Sequence, residues 1–363
     1  MERFELKTAV AFGENALAAL EALPGQRVMV VTDGFLAGSG LLDKVLARLE
    51  GRQVEVFDQV VPDPPLDLVA RGARALADFR PEAVVAFGGG SALDCAKAMA
   101  QFGRKLGAPE DLSLCAVPTT AGTGSEVTSF AVLTDPARGV KYPLVDDGLL
   151  PRLAVLEPAF LEGVPPAVTA DTGMDVLAHA AEAYVAKGAS PYSDALAEKA
   201  FTLAWGSLPA AFAAKGASPA KGDMLLASNL AGLAFNAAGL GLCHGLAHAL
   251  GGRFHVPHGR LNALLLPAVI SFNAADERSG KKYGRLAGLC ALTPTARSLS
   301  FALERLRGRL EQPRRLSGCG VEPAALRSAL DAVAADALAD FCTASNPRPA
   351  GPEDVKVLLR GLA

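Results

Sequence analysis

Hydrophobic and polar positions follow two alternating patterns in the N-terminal half of the chain. Short apolar runs rich in β-branched residues are typical of strands buried on both faces, and they occur at 28–32, 54–57, 83–87 and 114–117. Between these runs, residues 41–50 and 66–79 carry apolar side chains at helical spacing. The alternation predicts a parallel sheet flanked by helices.

The pattern changes after two consecutive prolines at 165 and 166. Long Ala- and Leu-rich segments with helical periodicity follow, and β-branched runs become rare. We therefore predict an α/β domain over residues 1–162 and an all-helical domain over residues 163–363. A length of 363 residues fits two domains, because single hydrophobic cores rarely grow beyond about 300 residues.

The composition argues against several classes of protein. Lys and Arg number 35 against 38 Asp and Glu, and a net charge of −3 offers no electrostatic footprint for nucleic acid. The charged first residues and the lack of an 18-residue apolar stretch predict a cytoplasmic protein without a membrane partner. Six scattered cysteines without CxxC spacing are expected to be reduced and mostly buried.

A glycine-rich turn, Gly-Gly-Gly-Ser at 88–91, follows the strand at 83–87 and leads into a helical pattern. Glycines let backbone N–H groups approach a diphosphate, and a helix N-terminus favours its negative charge. A tight turn explains this motif equally well, because the GxGxxG order is absent. A second loop at 118–128 offers hydroxyls at the same edge of the sheet, and the two loops together favour a phosphate site.

Asp33 ends the strand that contains 28–32. A carboxylate there accepts hydrogen bonds from an adenosine ribose and repels a 2′-phosphate, which favours NAD over NADP. The alternative is an aspartate that only initiates the turn before Gly34.

Asp175 and His179 are four residues apart, so a helix projects both side chains from one face. Such a pair is commonly a helix ion pair, but His244 and His258 follow in a chain that has only five histidines. One carboxylate and three imidazoles suit Fe(II) or Zn(II). We predict that these four residues form a metal site. Glu182, one turn beyond His179 on the same face, could support a ligand, but a surface salt-bridge partner is the favoured prediction.

The other histidines have different expected roles. His248 lies one helical turn from His244, and a proton relay and an orienting or packing role fit it equally well. His255 is expected to be solvated. Cys243 is expected to lie in the core, because its place beside His244 points it to another face.

These motifs together resemble the iron-containing (group III) alcohol dehydrogenase family, which has a dehydroquinate-synthase-like fold. The matching segments extend over nearly the whole chain: Gly-Gly-Gly-Ser-x2-Asp-x2-Lys at 88–97, Pro-Thr-Thr-x-Gly-Thr-x2-Glu-Val-Thr at 118–128, the Asp175/His179 helix, His244-x3-His248-x9-His258-Gly259 and Asn346-Pro347-Arg348.

The resemblance implies a Rossmann-like NAD-binding domain followed by a helical catalytic domain with iron at Asp175, His179, His244 and His258. It places His248 near the nicotinamide. It also implies that NAD is contacted by residues of the N-terminal domain: Asp33, Gly88, Gly89, Gly90, Ser91, Asp94, Thr119, Thr120, Thr123, Ser125 and Lys141.

Further segments, including 32–37, 139–144 and 190–200, resemble the branch of the family that serves propanediol utilisation, with the related alcohol dehydrogenase of the ethanolamine pathway a close second. This likeness implies reduction of propionaldehyde to 1-propanol with NADH, a homodimer, and a place in the cytoplasm or inside a bacterial microcompartment. Three alternatives stay open: a polyol, glycerol or lactaldehyde dehydrogenase of the same superfamily, zinc in place of iron, and a non-catalytic protein that binds the cofactor.

Overall fold

The computed structural model describes residues 4–135 and 140–362. The chain divides into an N-terminal unit, Met1–Gly163, and a C-terminal unit, Val164–Ala363. The boundary predicted from the sequence lies one residue before this division.

The N-terminal unit is built on a six-stranded parallel sheet with the order β1-β8-β5-β4-β2-β3. Its central strands β4 and β5 are buried at every residue, which explains why they are apolar without alternation. The strands are β1 (Ala9–Phe12), β2 (Arg27–Asp33), β3 (Gln53–Val60), β4 (Ala83–Gly88), β5 (Ser113–Pro118) and β8 (Leu153–Leu156).

Four helices accompany the sheet: α1 (Gly34–Gly38), α2 (Leu41–Leu46), α3 (Leu66–Phe79) and α4 (Gly90–Lys105). The helices predicted over 41–50 and 66–79 are present, the first continuing as a 3-10 turn, Ala47–Leu49. A two-stranded antiparallel sheet, β6 (Phe130–Asp135) with β7 (Val140–Val145), was not predicted.

One hydrophobic core of the N-terminal unit lies between the sheet and helices α3 and α4. Met29, Val84 and Leu114 reach it from the strands, and Leu76 and Met99 reach it from the helices. This core holds α4 against β4, so the glycine turn between them lies at the carboxyl edge of the sheet.

Within the described residues 164–362, the C-terminal unit contains helices and connecting turns, and no strand. Five of its helices begin with proline, which suits the first helical position because it lacks an N–H. The helices are α5 (Pro166–Val185), α6 (Pro191–Ala213), α7 (Pro219–Ala238), α8 (Leu242–Phe254), α9 (His258–Asn273), α10 (Glu277–Leu289), α11 (Ala296–Arg309), α12 (Pro323–Ala339) and α13 (Pro352–Arg360).

These two architectures confirm the predicted fold class. Helix α5 is central, since every residue from 173 to 185 is buried. Within residues 4–135 and 140–362, no single helix has the length and hydropathy to cross a membrane; α7 and α8 pass that test only as a pair bent by 104°.

Candidate metal centre and nucleotide-binding loops

Asp175 and His179 lie one turn apart on α5, both with less than a tenth of their surface exposed. Burial of a carboxylate is costly unless donors or a cation compensate it. Asp175 Oδ1 lies 3.7 Å from His244 Nε2 and 3.6 Å from His258 Nε2, so residues from α5, α8 and α9 converge on one point.

The amide of Asn262 occupies this point of convergence. Its Nδ2 lies 2.6 Å from Asp175 Oδ1, 3.2 Å from His244 Nε2 and 3.1 Å from His258 Nε2. The amide nitrogen of Asn262 thus lies among one carboxylate oxygen and two imidazole nitrogens. These atom types are ligands that suit a divalent cation.

His179 lies beside this group. Its ring stacks on that of His244 with 4.5 Å between centroids, and on that of Phe235 with 4.6 Å. The ligand atoms of Asp175, His244 and His258 all lie within 4.8 Å of one another. The structure therefore brings three predicted ligands together and places the fourth in ring contact with one of them, His244.

A close approach of α9 to α5 brings His258 into position. A Cβ at Gly259 would collide with the backbone oxygen of Asp171, so glycine is required beside His258. Arg260 then donates from Nε and from a terminal nitrogen to the two oxygens of Asp171, at 3.2 and 2.9 Å. This paired contact fixes the start of α9 against α5.

Glu182 anchors the N-terminus of α8, and the prediction that it lies at the surface is wrong. Its side chain is 1% exposed, and its carboxylate accepts from the backbone N–H groups of Gly241, Cys243 and His244 at 3.1, 2.7 and 3.3 Å. It also lies 2.6 Å from His244 Nδ1. An N–H on Nδ1 leaves the lone pair of His244 on Nε2, facing Asp175.

Burial shifts the pKa values of both partners in the contact between Glu182 and His244. It holds the pKa of His244 well below its usual range, and the neighbouring imidazoles act in the same direction, so this ring is neutral and able to ligate. Burial likewise raises the pKa of Glu182 to about 8, and its three backbone N–H bonds oppose that shift.

Asn346, like Glu182, holds the N-terminus of α8. Its Oδ1 accepts from Leu242 N at 3.1 Å and from Asn273 Nδ2 at 3.0 Å. Arg348 donates to the carbonyl of Phe272 and lies over its ring, 3.9 Å from the centroid. The Asn-Pro-Arg motif near the chain end thus supports the helix that carries His244.

His248, one turn further along α8, is not part of the convergent group. Its Nδ1 lies 2.9 Å from Asp340 Oδ2, and its ring stacks on that of His258 at 5.1 Å. His255 is exposed at the C-terminus of α8, as expected for a solvated residue. Cys243 is fully buried, as expected for a core thiol.

The two predicted nucleotide loops touch each other in the N-terminal unit. Thr119 N donates to Gly88 O at 3.0 Å. Gly88 has a φ of +151°, a conformation that side chains rarely adopt, and a Cβ there would lie 2.6 Å from Ala92 Cβ. Helix α4 begins at Gly90, so its free N–H groups open next to both loops.

The predicted cofactor residues on these loops differ in exposure. Gly88, Thr119 and Ser125 are buried. The exposed or partly exposed members, which are the ones accessible to a ligand, are Gly89, Gly90, Ser91, Asp94, Thr120 and Thr123. Lys141 belongs to β7, and its side chain lies outside the described residues.

Asp94 connects α4 to the second loop. Its Oδ1 accepts from Ser125 Oγ at 2.6 Å, and its Oδ2 accepts from Val132 N at 2.9 Å. The backbone N–H of Ser125 in turn donates to Thr123 Oγ1 at 3.2 Å. Both carboxylate oxygens of Asp94 thus have partners in the protein, which indicates that Asp94 holds the loop in shape.

Lys97, whose role the sequence pattern does not reveal, supports the same loop. Its ammonium is fully buried and donates to Thr128 O at 2.8 Å, Thr128 Oγ1 at 3.1 Å and Phe130 O at 2.8 Å. Burial lowers its pKa to about 8, and the charges of Asp94 and Glu126 oppose this shift.

Asp33 lies next to the glycine turn. Its Oδ1 accepts from Leu36 N at 2.9 Å and caps α1. Its Oδ2 lies 3.8 Å from the position that a Cβ on Gly88 would take. Both interpretations of Asp33 are therefore compatible with the geometry, since the carboxylate starts the turn and also borders the loop.

Two family models match this chain in succession. The model described as iron-containing alcohol dehydrogenase matches residues 7–158, and the model described as Fe-containing alcohol dehydrogenase family, C-terminal, matches residues 169–363. Together they extend through both units.

Known relatives match over the full length. The 1-propanol dehydrogenase PduQ of Citrobacter freundii is 42% identical, with 100% of both chains covered. The NADPH-dependent butanol dehydrogenase of Clostridium saccharobutylicum is 36% identical, covering 98% of this chain and 96% of the relative. A 1,3-propanediol oxidoreductase structure superposes with a TM-score of 0.93 at 34% identity, with 100% of both chains covered. The predicted enzyme class is thus confirmed: the chain belongs to the iron-containing alcohol dehydrogenase family.

Proposed function

We propose that this enzyme interconverts short aldehydes and primary alcohols with NAD(H), and that propionaldehyde and 1-propanol are its physiological pair. The observation that carries the proposal is the convergence of Asp175, His244 and His258 from three helices, with His244 fixed in tautomer by Glu182. The substrate is inferred from the 42% identity to a 1-propanol dehydrogenase.

The four predicted ligands, Asp175, His179, His244 and His258, would hold the metal. When bound, the metal supplies a Lewis acid that polarises the substrate oxygen. Glu182 keeps the lone pair of His244 directed at Asp175, as the 2.6 Å contact on Nδ1 requires. Iron follows from the family, and zinc is the alternative because the same donors bind it at least as tightly.

The glycine turn and the Thr-rich loop of the N-terminal unit would hold the diphosphate of the dinucleotide. Exposed hydroxyls and the N–H groups at the start of α4 provide the donors. Asp33, beside Gly88, would accept from the adenosine ribose and disfavour a 2′-phosphate. NAD is therefore the proposed cofactor, although the butanol dehydrogenase relative is named as NADPH-dependent.

A diol is the second candidate substrate. The likeness to a 1,3-propanediol oxidoreductase structure, at 34% identity over the full chain, favours it. A diol and a monoalcohol place the same primary hydroxyl at the metal, so the distinction depends on the rest of the pocket.

The decisive experiment measures kcat/KM for a series of C2 to C6 aldehydes, lactaldehyde and 3-hydroxypropionaldehyde with NADH and with NADPH. The purified protein is assayed as isolated, after chelation, and after addition of Fe(II) or Zn(II), with bound metal determined in each sample. We expect an optimum at propionaldehyde with NADH and recovery with Fe(II). An optimum at a hydroxylated aldehyde would replace the proposed substrate, and turnover by the metal-free protein would contradict the metal site.

The homodimer and the microcompartment implied by the family resemblance remain proposals about assembly. Light scattering on the purified chain tests the first, since a dimer has twice the mass of 37.3 kDa. Co-fractionation with shell proteins in the host tests the second.

A further inference from the structure

His248 has a carboxylate partner of its own. Asp340 Oδ2 lies 2.9 Å from His248 Nδ1, and the two side chains are 16% and 22% exposed. The ring of His248 is confined on its faces by His258, with centroids 5.1 Å apart, and by Phe341, at 6.3 Å. Both the position and the rotation of this imidazole are therefore restricted.

Asp340 is itself fixed. It follows the last residue of α12, and its Oδ1 accepts from Cys342 N at 2.8 Å, which leaves Oδ2 directed at His248. The approach of the two helices is also fixed, because a Cβ at Gly245 would lie 2.9 Å from the carbonyl oxygen of Ala337. The distance between Asp340 and His248 thus depends on rigid backbone contacts on both sides.

The arrangement repeats that of His244. Helix α8 carries two histidines one turn apart, and each has a carboxylate on Nδ1: Glu182 at 2.6 Å and Asp340 at 2.9 Å. In each case an Nδ1–H donated to the carboxylate leaves the lone pair on Nε2. The first histidine points this lone pair at the metal centre, and the second lies beside His258 without belonging to the convergent group.

We propose that Asp340 is a positioning residue that holds His248 as the Nδ1–H tautomer, so that its Nε2 acts on the substrate hydroxyl. In alcohol oxidation, Nε2 would accept the hydroxyl proton while the carbon-bound hydride passes to the nicotinamide. The proposal rests on the proposed function, because it needs an alcohol at the metal. Asp340 would play the part that the aspartate plays in a Ser-His-Asp triad, fixing the tautomer without taking up the proton.

A second metal at this place is the competing explanation. The ligand atoms of His248, Asp340 and Cys342 lie within 4.8 Å of one another, which is compatible with an ion. Hydrogen bonds already account for both carboxylate oxygens of Asp340, since Oδ1 accepts from Cys342 N at 2.8 Å and Oδ2 lies 2.9 Å from His248 Nδ1. A hydrogen-bonded pair is therefore favoured, and the number of metal ions bound per chain distinguishes the two explanations.

The first test reads the tautomer directly. The zinc-loaded full-length protein is labelled with ¹⁵N at its five histidines, and long-range ¹H–¹⁵N spectra assign the state of His248. We expect the Nδ1–H tautomer. The Nε2–H tautomer, or a second zinc ion per chain bound to Nδ1, would overturn the proposal.

The second test uses Asp340→Asn, with Asp336→Asn as the matched control. Asp336 is on α12 and pairs with Arg253 at the surface. We expect Asp340→Asn to lose the single Nδ1–H tautomer and to lower kcat about 10- to 100-fold, with KM for NADH and bound metal unchanged. Asp336→Asn should behave like the parent, and an equal kcat in the two variants would refute the role of Asp340.

Two further measurements distinguish failure of this proposal from misfolding of the variant and from failure of the proposed function. If Asp340→Asn does not fold, Asp340→Glu retains the carboxylate and should preserve the Nδ1–H tautomer with a smaller loss of kcat; loss of that tautomer in a folded Asp340→Glu would count against the proposal. If the parent enzyme reduces no aldehyde at all, the proposed function fails, whereas the spectra still decide the tautomer of His248.

Discussion

The candidate metal centre of the C-terminal unit and the candidate nucleotide loops of the N-terminal unit are organised in opposite ways. At the metal centre the converging atoms belong to side chains, and Glu182 and Asn262 hold them in place. At the loops the atoms held in place are mostly backbone atoms. Thr119 N donates to Gly88 O, Lys97 donates to the carbonyls of Thr128 and Phe130, and Asp94 accepts from Val132 N as well as from the Ser125 hydroxyl.

This difference determines how each region should respond to substitution. A ligand cannot be replaced by a residue without the same donor atom, so loss at the metal centre should be nearly complete. A phosphate cradle distributes its binding over many N–H groups, so a single change there should have a graded effect.

Replacement of His258 should have the largest effect. His258→Ala removes one of three convergent ligand atoms, and we expect loss of bound iron and a fall in kcat/KM of at least about 1000-fold. Metal analysis and NADH oxidation with propionaldehyde measure both. His255→Asn is the matched control, because His255 is an exposed histidine at φ +55° and asparagine tolerates that conformation. Full iron content in His258→Ala would contradict the proposed site.

Glu182→Gln should weaken metal binding without abolishing it. Glutamine keeps one acceptor oxygen, but its NH₂ group would face N–H donors that bind the carboxylate in the parent protein. His244 would therefore lose its fixed tautomer. We expect the metal dissociation constant to rise about 10- to 100-fold. Competition with a chelator measures it, and the exposed Glu304→Gln on α11 is the control. An unchanged constant would mean that Glu182 only caps α8.

The sequence predicts the candidate ligands more readily than the residues that hold them in place. Asp175 and His179 are recognisable because metal chemistry demands those residue types at helical spacing. The donors to Glu182 lie 59 to 62 residues away, and Asp340 lies 92 residues from His248, so no local pattern signals either contact. Because α5 is buried on all sides, its pattern also gives no sign of which face meets α8.

The fold shows the same division. Strands such as β4 and β5 are predictable because burial on both faces makes them continuously apolar. Strand β7 is hard to predict because it contains Pro143, and proline is rare within sheets except at their edges. In the described residues, β7 pairs with β6 in a sheet of two strands. Residues 186–191 and 214–219 share the sequence Ala-Lys-Gly-Ala-Ser-Pro, and the serine of each copy is the N-cap of the helix that follows, Ser190 for α6 and Ser218 for α7.

Lys97→Met should affect the loops through their backbone. The change leaves the carbonyls of Thr128 and Phe130 without this donor, and we expect the free energy of unfolding to fall by about 1–3 kcal/mol. KM for NADH should rise while bound metal stays constant. Denaturant titration and steady-state kinetics measure these changes against Lys105→Met, an exposed lysine of the same helix.

The contribution of Lys97 to the free energy of unfolding should change with pH in a defined direction. Burial lowers its folded-state pKa to about 8 from the usual 10.5, so between these values the unfolded chain binds more protons than the folded chain. The stability of the parent relative to Lys97→Met should therefore rise as pH increases through this window. A decrease would show that the hydrogen bonds of the ammonium outweigh its burial.

The smallest expected effect concerns the choice of cofactor at Asp33. Asp33→Asn keeps a side-chain acceptor for Leu36 N, so α1 retains its cap while the negative charge is lost. Repulsion of a 2′-phosphate should then weaken, and the ratio of kcat/KM for NADPH to that for NADH should rise roughly tenfold, about 1.4 kcal/mol. The exposed Asp43→Asn on α2 controls for a general change of charge. Should the two variants show the same ratio, Asp33 would be only the cap of α1, and cofactor choice would depend on the loop backbone, which would make the contrast with the metal centre sharper still.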